Sequence, residues 1–459
     1  MSHTSSAYSQ WPQQQTPFFR IRQQFLEGSL TPEAYLEDCL GRIRQHEPAV
    51  KAWVMLNIDG ARQQAKASTE RYRVGKPLSD IDGLPIGIKD LLETRDMPTT
   101  MGCKPFENNH TRRDNAAVRA LREAGAIILG KTVTTALGFL DPGPTRNPFD
   151  LQRTPGGSSS GSAAAVGAGM VPVTLGTQLV ASILRPASYC GNWALKPTFG
   201  AIHRGERQGF SQGHTGVHAN HPADIWSVAS AIVQRAGGDP GQPGLFGIES
   251  PLQAIKPARL AFVETEGWAR LDDPTRQAFL AMLDDLRGQG VEILDRRTSP
   301  EIEAFEQQIA DATALAMQIV AWEHRWSLEN LVEQHPDSLG PALASQLSMA
   351  RGLTLQDARA NLAARELVRQ AYRNLAHVAD AVITLASVGP APLVAEAEKT
   401  RFPTGDVSFA CVSSLLGAPA TSIPVLKVGD LPVGVQIMGQ CHEDARVMGI
   451  SWGVLQALA

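Results

Sequence analysis

The sequence has 459 residues, of which 43% are hydrophobic and 19% charged, and its formal net charge is −4. This composition is typical of a globular protein, and the near-neutral charge argues against nucleic acid or an anionic membrane as the main partner. Five scattered cysteines without a C-x-x-C pair favour free thiols in a reducing compartment over zinc binding. No apolar run approaches the ~18 residues of a membrane span, so we expect a soluble cytoplasmic protein.

The first residues are polar and lack the basic start and apolar core of a secretory signal. We therefore predict a flexible tail over residues 1–15 and one folded domain over residues 16–459. Helices are predicted at Phe18–Gly28, Thr31–His46, Ile58–Arg73, Asn115–Ala124, Pro222–Ala236, Asp273–Gly288 and most of Ser299–Ala379. Strands are predicted at Ala52–Asn57, Ala126–Leu129, Ala258–Val263, Val291–Leu294, Ala381–Leu385 and twice within Ala418–Gly439, and the stretch Gly83–Asp90 is predicted to be a turn into an apolar strand that ends on Lys89. Their alternation predicts a layered α/β architecture.

Two glycine motifs match known sites but have the wrong surroundings. The stretch from Gly125 to Thr132 fits the phosphate-binding P-loop pattern, yet Ala-Ile-Ile-Leu between its glycines predicts a buried strand. The stretch from Gly157 to Gly161 fits a nucleophile elbow, which needs a hydrophobic strand before it, whereas residues 147–155 read as a loop. We reject nucleotide binding and keep the α/β-hydrolase as a weaker alternative.

Four histidines, His203, His214, His218 and His221, fall within nineteen residues. No acid or cysteine completes a metal-ligand spacing around them, and the segment is predicted to be a loop. We therefore interpret them as surface or packing histidines rather than as a metal site.

Lys89 closes an apolar strand, where an exposed lysine is the ordinary interpretation. If buried, it would lose part of the solvation of its charged form, and its lowered pKa would make it a usable general base. Serine needs such a base to become a nucleophile, and no Asp-His pair at a strand end supplies one. The hydroxyls of Ser158, Ser159 and Ser160 could equally satisfy a turn, so the residues alone leave their role open.

The stretch Gly156–Gly200 is crowded with glycine, serine and alanine, and it resembles the signature of the amidase signature enzymes. Further segments resemble that family in the same order: Gly83–Asp90, Pro98–Thr100, Gly130–Thr132, Gly143–Pro148, Thr404–Asp406, Leu416–Pro419 and Leu431–Gln436. The resemblance runs from about Leu30 to the C-terminus and is weakest between Gly205 and Ala379.

The resemblance implies one large α/β/α unit with a central twisted mixed sheet surrounded by helices, in which residues 205–380 form a variable helical section covering the substrate. It implies hydrolysis of a carbon–nitrogen acyl bond in an amide, anilide or carbamate, without metal or organic cofactor. By the same resemblance Ser182 is the nucleophile, Ser158 is a bridging serine after a cis peptide bond, and Lys89 is the base. The expected partner is a small molecule rather than nucleic acid or a membrane, and a homodimer is one expected assembly.

The resemblance also assigns an oxyanion hole to the main-chain N–H groups of Leu179, Val180, Ala181 and Ser182. The family usually has glycine-containing sequence before the nucleophile, and a β-branched residue cannot cheaply adopt a positive φ. Either this loop needs no positive φ, or its oxyanion hole is altered. Gln178 stands where many members carry an acid, as in a variant of the signature with Arg-Pro-Ala-Ser further on.

By the same resemblance Gly138, Phe139 and Leu140 form one wall of the substrate pocket, and their apolar character favours an uncharged, partly apolar substrate. Two other functions stay open. The altered loop would suit a weakly active or non-catalytic member that binds an amide ligand. The chain could also be an amidotransferase subunit that delivers ammonia to an acceptor such as a charged transfer RNA, although its near-neutral charge favours this less.

Overall fold

The computed structural model describes residues 15–206 and 209–458, so the predicted tail lies outside the described residues except for Gln15. The helices are α1 (Phe18–Glu27), α2 (Pro32–Val50), α3 (Ile58–Arg73), α4 (Ala116–Glu123), α5 (Ser160–Gly167), α6 (Leu184–Tyr189), α7 (Pro222–Ala236), α8 (Asp273–Gly288), α9 (Pro300–Gln308), α10 (Ala312–Gln334), α11 (Pro341–Gly352), α12 (Leu355–Asn374), α13 (Val394–Ala397), α14 (Cys411–Leu416) and α15 (Asp444–Leu458). Short 3₁₀ helices cover Lys104–Phe106, Ala136–Gly138, Glu266–Arg270 and Leu375–His377.

The strands are β1 (Trp53–Leu56), β2 (Pro85–Lys89), β3 (Ile127–Thr132), β4 (Val173–Gln178), β5 (Trp193–Lys196), β6 (His214–Ala219), β7 (Arg259–Phe262), β8 (Glu292–Leu294), β9 (Ala381–Leu385), β10 (Ala420–Val428) and β11 (Leu431–Met438). Within the described ranges they form one sheet in the order β1-β3-β2-β4-β6-β5-β10-β11-β9-β7-β8. The sheet is mixed, since β2 runs parallel to β3 and β4 whereas β6 runs antiparallel to β4. The predicted mixed α/β sheet surrounded by helices is confirmed.

Apolar side chains fill both faces of the sheet. Along β7 and the residue after it, Leu260 and Phe262 belong to one buried cluster, whereas Ala261 and Val263 belong to the other. Because successive strand side chains point to opposite faces, the two clusters are the two helix–sheet interfaces of an α/β/α layering. The second cluster, which also contains residues of α6, α9–α12 and α14, is the one that packs beneath the site.

The small residues of the signature stretch are a packing requirement. Helix α5 is buried from Ser160 to Val166. A Cβ on Gly161 would lie 2.2 Å from the Ala52 carbonyl oxygen and 2.3 Å from the Val133 nitrogen, so no larger residue fits there without movement. Tight packing of α5 against the end of β3 thus explains why glycine, serine and alanine are concentrated in this segment.

Strand β6 is not predicted by the sequence, and the expectation that the histidine-rich segment is a loop is wrong. His214 and His218 lie on β6, which is internal between β4 and β5 and buried throughout. Helices α5 and α7 pack against β6 and cover its side chains, and His-Thr-Gly-Val-His-Ala has no apolar alternation to reveal this. Residues 205–380 therefore contribute strands β6–β8 as well as helices α7–α12.

Helix α2 shows how the local sequence sets the element boundaries. The Thr31 hydroxyl accepts a hydrogen bond from the Ala34 N–H, and Pro32 occupies the first turn, as the sequence predicted. The helix continues past the predicted end at His46 to Val50. Among the described helices, none is long and apolar enough to cross a bilayer.

Candidate active site

Lys89 is the last residue of β2 and is fully buried, so its interpretation as an exposed strand-end lysine is wrong. Its Nζ donates to Ser158 Oγ at 2.6 Å, to Ser159 Oγ at 3.0 Å and to the Thr177 carbonyl at 3.2 Å. Thr177 lies on β4, the parallel neighbour of β2. The carboxyl ends of two parallel strands thus bring the lysine and the two serines together.

Burial lowers the pKa of Lys89 well below its ordinary value of 10.5. No described carboxylate forms an ion pair with this amine, so solvent exclusion acts without a counterion to oppose it. His218 shares the same environment: burial, followed by the charge of Lys89, lowers the pKa of this imidazole to about 3. A neutral histidine and a lysine that loses its proton more readily than usual therefore lie behind Ser158 and Ser159.

The next residue, Asp90, has the opposite environment. Its carboxylate pairs with Lys131 of β3 at 2.9 Å, and both side chains are fully buried. Lys131 also donates to Thr99 Oγ1 at 2.8 Å, and the Thr100 N–H donates to Asp90 at 3.0 Å. The negative charge adjacent to Lys89 in the chain is therefore committed to another lysine.

Ser158 follows a cis peptide bond with Gly157, the arrangement that the family resemblance implied. The Gly157 carbonyl accepts a hydrogen bond of 2.6 Å from the Arg185 guanidinium. Arg185 is only 1% exposed, and it also donates to the Gly405 carbonyl at 2.7 Å and to Thr404 Oγ1 at 2.8 Å. One buried cation therefore ties α6 and the 404–405 loop to the peptide that carries Ser158.

Replacing Arg185 by methionine is expected to lower the free energy of unfolding by about 3 kcal/mol, because two buried carbonyls lose their donor. We also expect kcat/KM to fall at least about tenfold, since Ser158 would no longer be held in place. Urea unfolding and steady-state kinetics measure the two effects. Arg146→Met is the matched control, because this partly exposed arginine donates to the Pro144 and Thr145 carbonyls, where water can replace it. Equal effects of the two substitutions would contradict the prediction.

Ser182 is 7% exposed and directly precedes the residues that begin α6. Its carbonyl accepts a hydrogen bond of 3.3 Å from the Ser159 N–H, so the chain segments that carry the predicted bridging serine and nucleophile are adjacent. The Ser182 hydroxyl makes no hydrogen bond with any described residue. The hydroxyl is thus available to a ligand, and in this structure it is not bonded to Ser158.

The backbone of the loop before Ser182 shows whether this loop needs the positive φ angles that glycine would allow. Leu179, Val180 and Ala181 all have negative φ, so the loop does not require glycine there. Within the described ranges, none of the four main-chain N–H groups from Leu179 to Ser182 donates a hydrogen bond. Buried N–H groups are rarely left unpaired, and four in succession can serve an incoming carbonyl oxygen.

A cavity of about 510 Å³ opens beside Ser158, Thr177 and Gln178. Most of its wall is apolar or aromatic: Leu91, Leu92, Met101, Phe106, Leu137, Leu179, Phe210, Trp326 and Leu331. Gly138 lines this cavity, whereas Phe139 and Leu140 are buried in the second core cluster and are not part of its wall. The lining includes Leu179 but not the three residues that follow it, Val180, Ala181 and Ser182.

The charged residues of this wall are already engaged. Glu93 and Glu206 pair with Arg113, at 2.9 and 2.5 Å. Glu323 accepts a hydrogen bond of 3.0 Å from the Ser211 N–H. Arg204 pairs with Asp239 at 2.5 Å, donates to the Phe210 carbonyl at 2.7 Å and stacks on Phe199. The cavity therefore presents mainly apolar surface to a ligand.

The sequence does not predict the part of the wall that helix α10 supplies. Glu323, His324, Trp326 and Leu331 all line the cavity. No motif marks this long helix, so nothing in the sequence singles out these four residues. Elsewhere, no described group of three or more His, Cys, Asp or Glu residues is arranged to hold a metal ion.

A family model described as Amidase matches residues 34–448. The chain belongs to the amidase family. Among curated proteins, the glutamyl-tRNA(Gln) amidotransferase A subunits from Rhodopirellula baltica and Leptospira interrogans are 30% and 28% identical to it. These alignments cover 93% of both chains in the first case and 95% of both in the second.

Solved structures agree with this family membership. One amidase crystal structure is 28% identical, has a TM-score of 0.81, and the match covers 96% of this chain and 99% of the other. A bacterial aryl acylamidase of the amidase signature enzymes has a TM-score of 0.83 over 96% of each chain at 19% identity, a likeness that speaks for the fold alone. The amidase fold predicted from the signature motifs is therefore confirmed over nearly the whole chain.

Proposed function

We propose that this member of the amidase family hydrolyses a carbon–nitrogen acyl bond through a serine acyl-enzyme. The observation that carries the proposal is the buried Lys89 amine, which donates to Ser158 Oγ at 2.6 Å and whose pKa is lowered by burial. Because its pKa is lowered, this amine loses its proton more readily than an ordinary lysine, and its neutral form can accept the Ser158 proton across the same contact, as the base of a metal-free acyl transfer must.

In the proposed reaction Ser182 Oγ attacks the carbonyl carbon, and its proton passes through Ser158 to Lys89. Closure of Ser182 onto Ser158 is expected on substrate binding, since catalytic hydrogen bonds are often long in empty enzymes. The proton then returns through Ser158 to the leaving nitrogen as the carbon–nitrogen bond breaks. Water hydrolyses the acyl-enzyme by the same relay and restores Ser182.

The negative charge that develops on the carbonyl oxygen needs fixed N–H donors. We assign these donors to the main chain of Leu179 to Ser182, whose N–H groups lack partners among the described residues. The negative φ values of this loop support an active enzyme over the non-catalytic alternative, because its larger side chains fit the backbone without strain.

The apolar cavity supports an uncharged substrate with a sizeable apolar or aromatic part, such as an anilide, an amide or a carbamate. Helix α10 supplies the outer wall, which supports the assignment of the 205–380 section as the part that covers the substrate. We do not propose a nucleic acid or membrane partner, and a homodimer stays a prediction.

The amidotransferase subunit is the second candidate, because curated relatives carry that name. A subunit that takes ammonia from free glutamine must bind an α-carboxylate, for which an unengaged cation is the usual partner. Arg204, the cation among the described lining residues, is already paired with Asp239. We therefore favour hydrolysis of a less polar amide.

Incubation of the purified chain with a panel of amides, anilides, carbamates, esters and glutamine, analysed by product mass, tests the proposal. We expect release of the amine and acid from apolar amides or anilides. Glutamine should be turned over at least about 100-fold more slowly, because the described lining of the cavity offers no unengaged partner for the charges of glutamine. Turnover of glutamine alone, or ammonia release that requires a co-purifying partner, would favour the amidotransferase. No turnover and no labelling of Ser182 by a serine-reactive phosphonate would reject both.

A further inference from the structure

The side chain of Gln178, at the end of β4, is 1% exposed and bonded at both ends. Its carbonyl oxygen accepts from the Ile183 N–H at 2.8 Å and the Leu184 N–H at 3.1 Å. Its amide nitrogen donates to Ser414 Oγ at 2.9 Å. The two N–H donors fix which end of the amide is the oxygen, so the nitrogen must face the serine of helix α14.

Ser414 connects this amide to the loop before Ser182. Its hydroxyl donates to the Val180 carbonyl at 3.0 Å. A hydroxyl has one proton, so it can donate to Val180 because Gln178 donates to it rather than accepting from it. The three groups form a chain in which each donor direction is set by the amide nitrogen.

The Val180 carbonyl and the Ala181 N–H belong to one planar trans peptide, in which they point in opposite directions. Holding the carbonyl against Ser414 therefore directs the Ala181 N–H away from α14. That N–H is one of the unpaired donors assigned above to the oxyanion hole.

We propose that Gln178 is a positioning residue, whose amide nitrogen directs the Ser414 proton onto the Val180 carbonyl and thereby aims the Ala181 N–H at the reacting carbonyl oxygen. The inference rests on the proposed serine mechanism. A carboxylate at this position could still accept from Ile183 and Leu184, but it would draw the Ser414 proton to itself. The Val180 carbonyl would then lose its donor, and the loop would lose the constraint on its orientation.

Kinetics of Ser414→Ala, Gln178→Glu and the double variant test this chain, with Ser413→Ala as the matched control. Ser413 is equally buried on α14 and accepts a longer hydrogen bond of 3.5 Å from the Gln178 amide nitrogen, but its hydroxyl donates to the Ala410 carbonyl at 2.8 Å and makes no bond with Val180. We expect Ser414→Ala to lower kcat about tenfold with little change in KM, because an oxyanion donor acts on the transition state. Ser413→Ala should stay within about twofold of the wild type, since it leaves those donors in place.

Gln178→Glu should lower kcat at least as much as Ser414→Ala does, and adding Ser414→Ala to it should cost less than about twofold more, because both remove the same bond. Rates are expressed per site labelled by a phosphonate, so misfolded protein does not count. If Gln178→Glu does not fold, the comparison of the two serine variants alone decides.

Equal losses in Ser414→Ala and Ser413→Ala, a loss confined to KM, or the same cost of Ser414→Ala in both backgrounds would each overturn the inference. These results would leave the serine mechanism standing, provided that the wild type is labelled at Ser182 and turns over substrate. A wild type that shows neither labelling nor turnover would instead reject the proposed function itself.

Discussion

Replacing Ser182 by alanine should reduce turnover of a chromogenic anilide by at least about 10⁴-fold, because the acyl-enzyme can no longer form. The substitution removes one hydroxyl that makes no hydrogen bond with any described residue, so the fold should be unaffected. Release of the coloured amine, followed with wild type and variant at equal concentration, measures the effect. The thermal unfolding temperature of the variant should match that of the wild type.

Ser160→Ala is the matched control for this experiment. Ser160 is another buried serine of the signature stretch. Its hydroxyl donates to the Val133 carbonyl and makes no hydrogen bond with Lys89. This variant should keep activity within about threefold, since it removes an ordinary side-chain to main-chain hydrogen bond. Undiminished turnover in Ser182→Ala, or an equal loss in both variants, would show that Ser182 is not the nucleophile.

Replacing Lys89 by methionine should lower kcat/KM by about 10³-fold and remove the acid limb of its pH profile, because a general base typically contributes 10²–10⁴-fold. If the neutral amine is the active form, as proposed, wild-type activity should rise as pH rises through the lowered pKa of Lys89. Profiles of kcat/KM against pH for both proteins make the measurement. A wild-type profile without an acid limb, or the same acid limb in both proteins, would contradict this role.

The same substitution has a predictable effect on stability. Burial lowers the pKa of Lys89 in the folded protein, so between that pKa and 10.5 the unfolded chain binds more protons than the folded one. The wild type therefore loses stability as pH falls through this window, whereas Lys89→Met does not. The difference in unfolding temperature between the two proteins should shift in favour of the variant as pH falls.

Two neighbouring serines separate the proton relay from simple packing. Lys89 donates to both Ser158 and Ser159, at 2.6 and 3.0 Å. If Ser158 carries the proton, Ser158→Ala should lower kcat about 100-fold or more, while Ser159→Ala should cost less than about tenfold. Equal losses of kcat would indicate that Lys89 makes structural contacts with both hydroxyls and does not receive the proton through Ser158 in particular.

The elements that carry Lys89 and Ser158 could be predicted in part from the sequence because they carry local patterns. The apolar run before Lys89 marks a strand end, and the small residues around Ser158 mark the tightly packed start of α5. The mixed sheet followed from the alternation of strand and helix patterns. The roles of Ser158 and Ser182, by contrast, came from the family resemblance, since neither hydroxyl is distinguishable from a turn serine by its neighbours alone.

What could not be predicted depends on contacts between distant segments. Strand β6 carries histidines whose burial depends on helices α5 and α7 packing against it, so its own six residues do not look like a strand. Phe139 and Leu140 were assigned to the substrate wall, yet a short 3₁₀ helix that ends at Gly138 leads them into the core instead. Whether Leu179, Val180 and Ala181 suit their loop depended on φ angles that no composition reveals.

The hydrogen bonds of Arg185 and Gln178 join the signature stretch to residues 404–414, more than 200 positions further along the chain. During synthesis on the ribosome, the loop of the signature segment can therefore acquire those partners only after almost the whole chain has been made. A nascent or C-terminally truncated chain would hold Lys89 and both serines yet have no fixed oxyanion loop. Acquisition of activity should thus coincide with the last stage of folding rather than with formation of the helix that carries the serines.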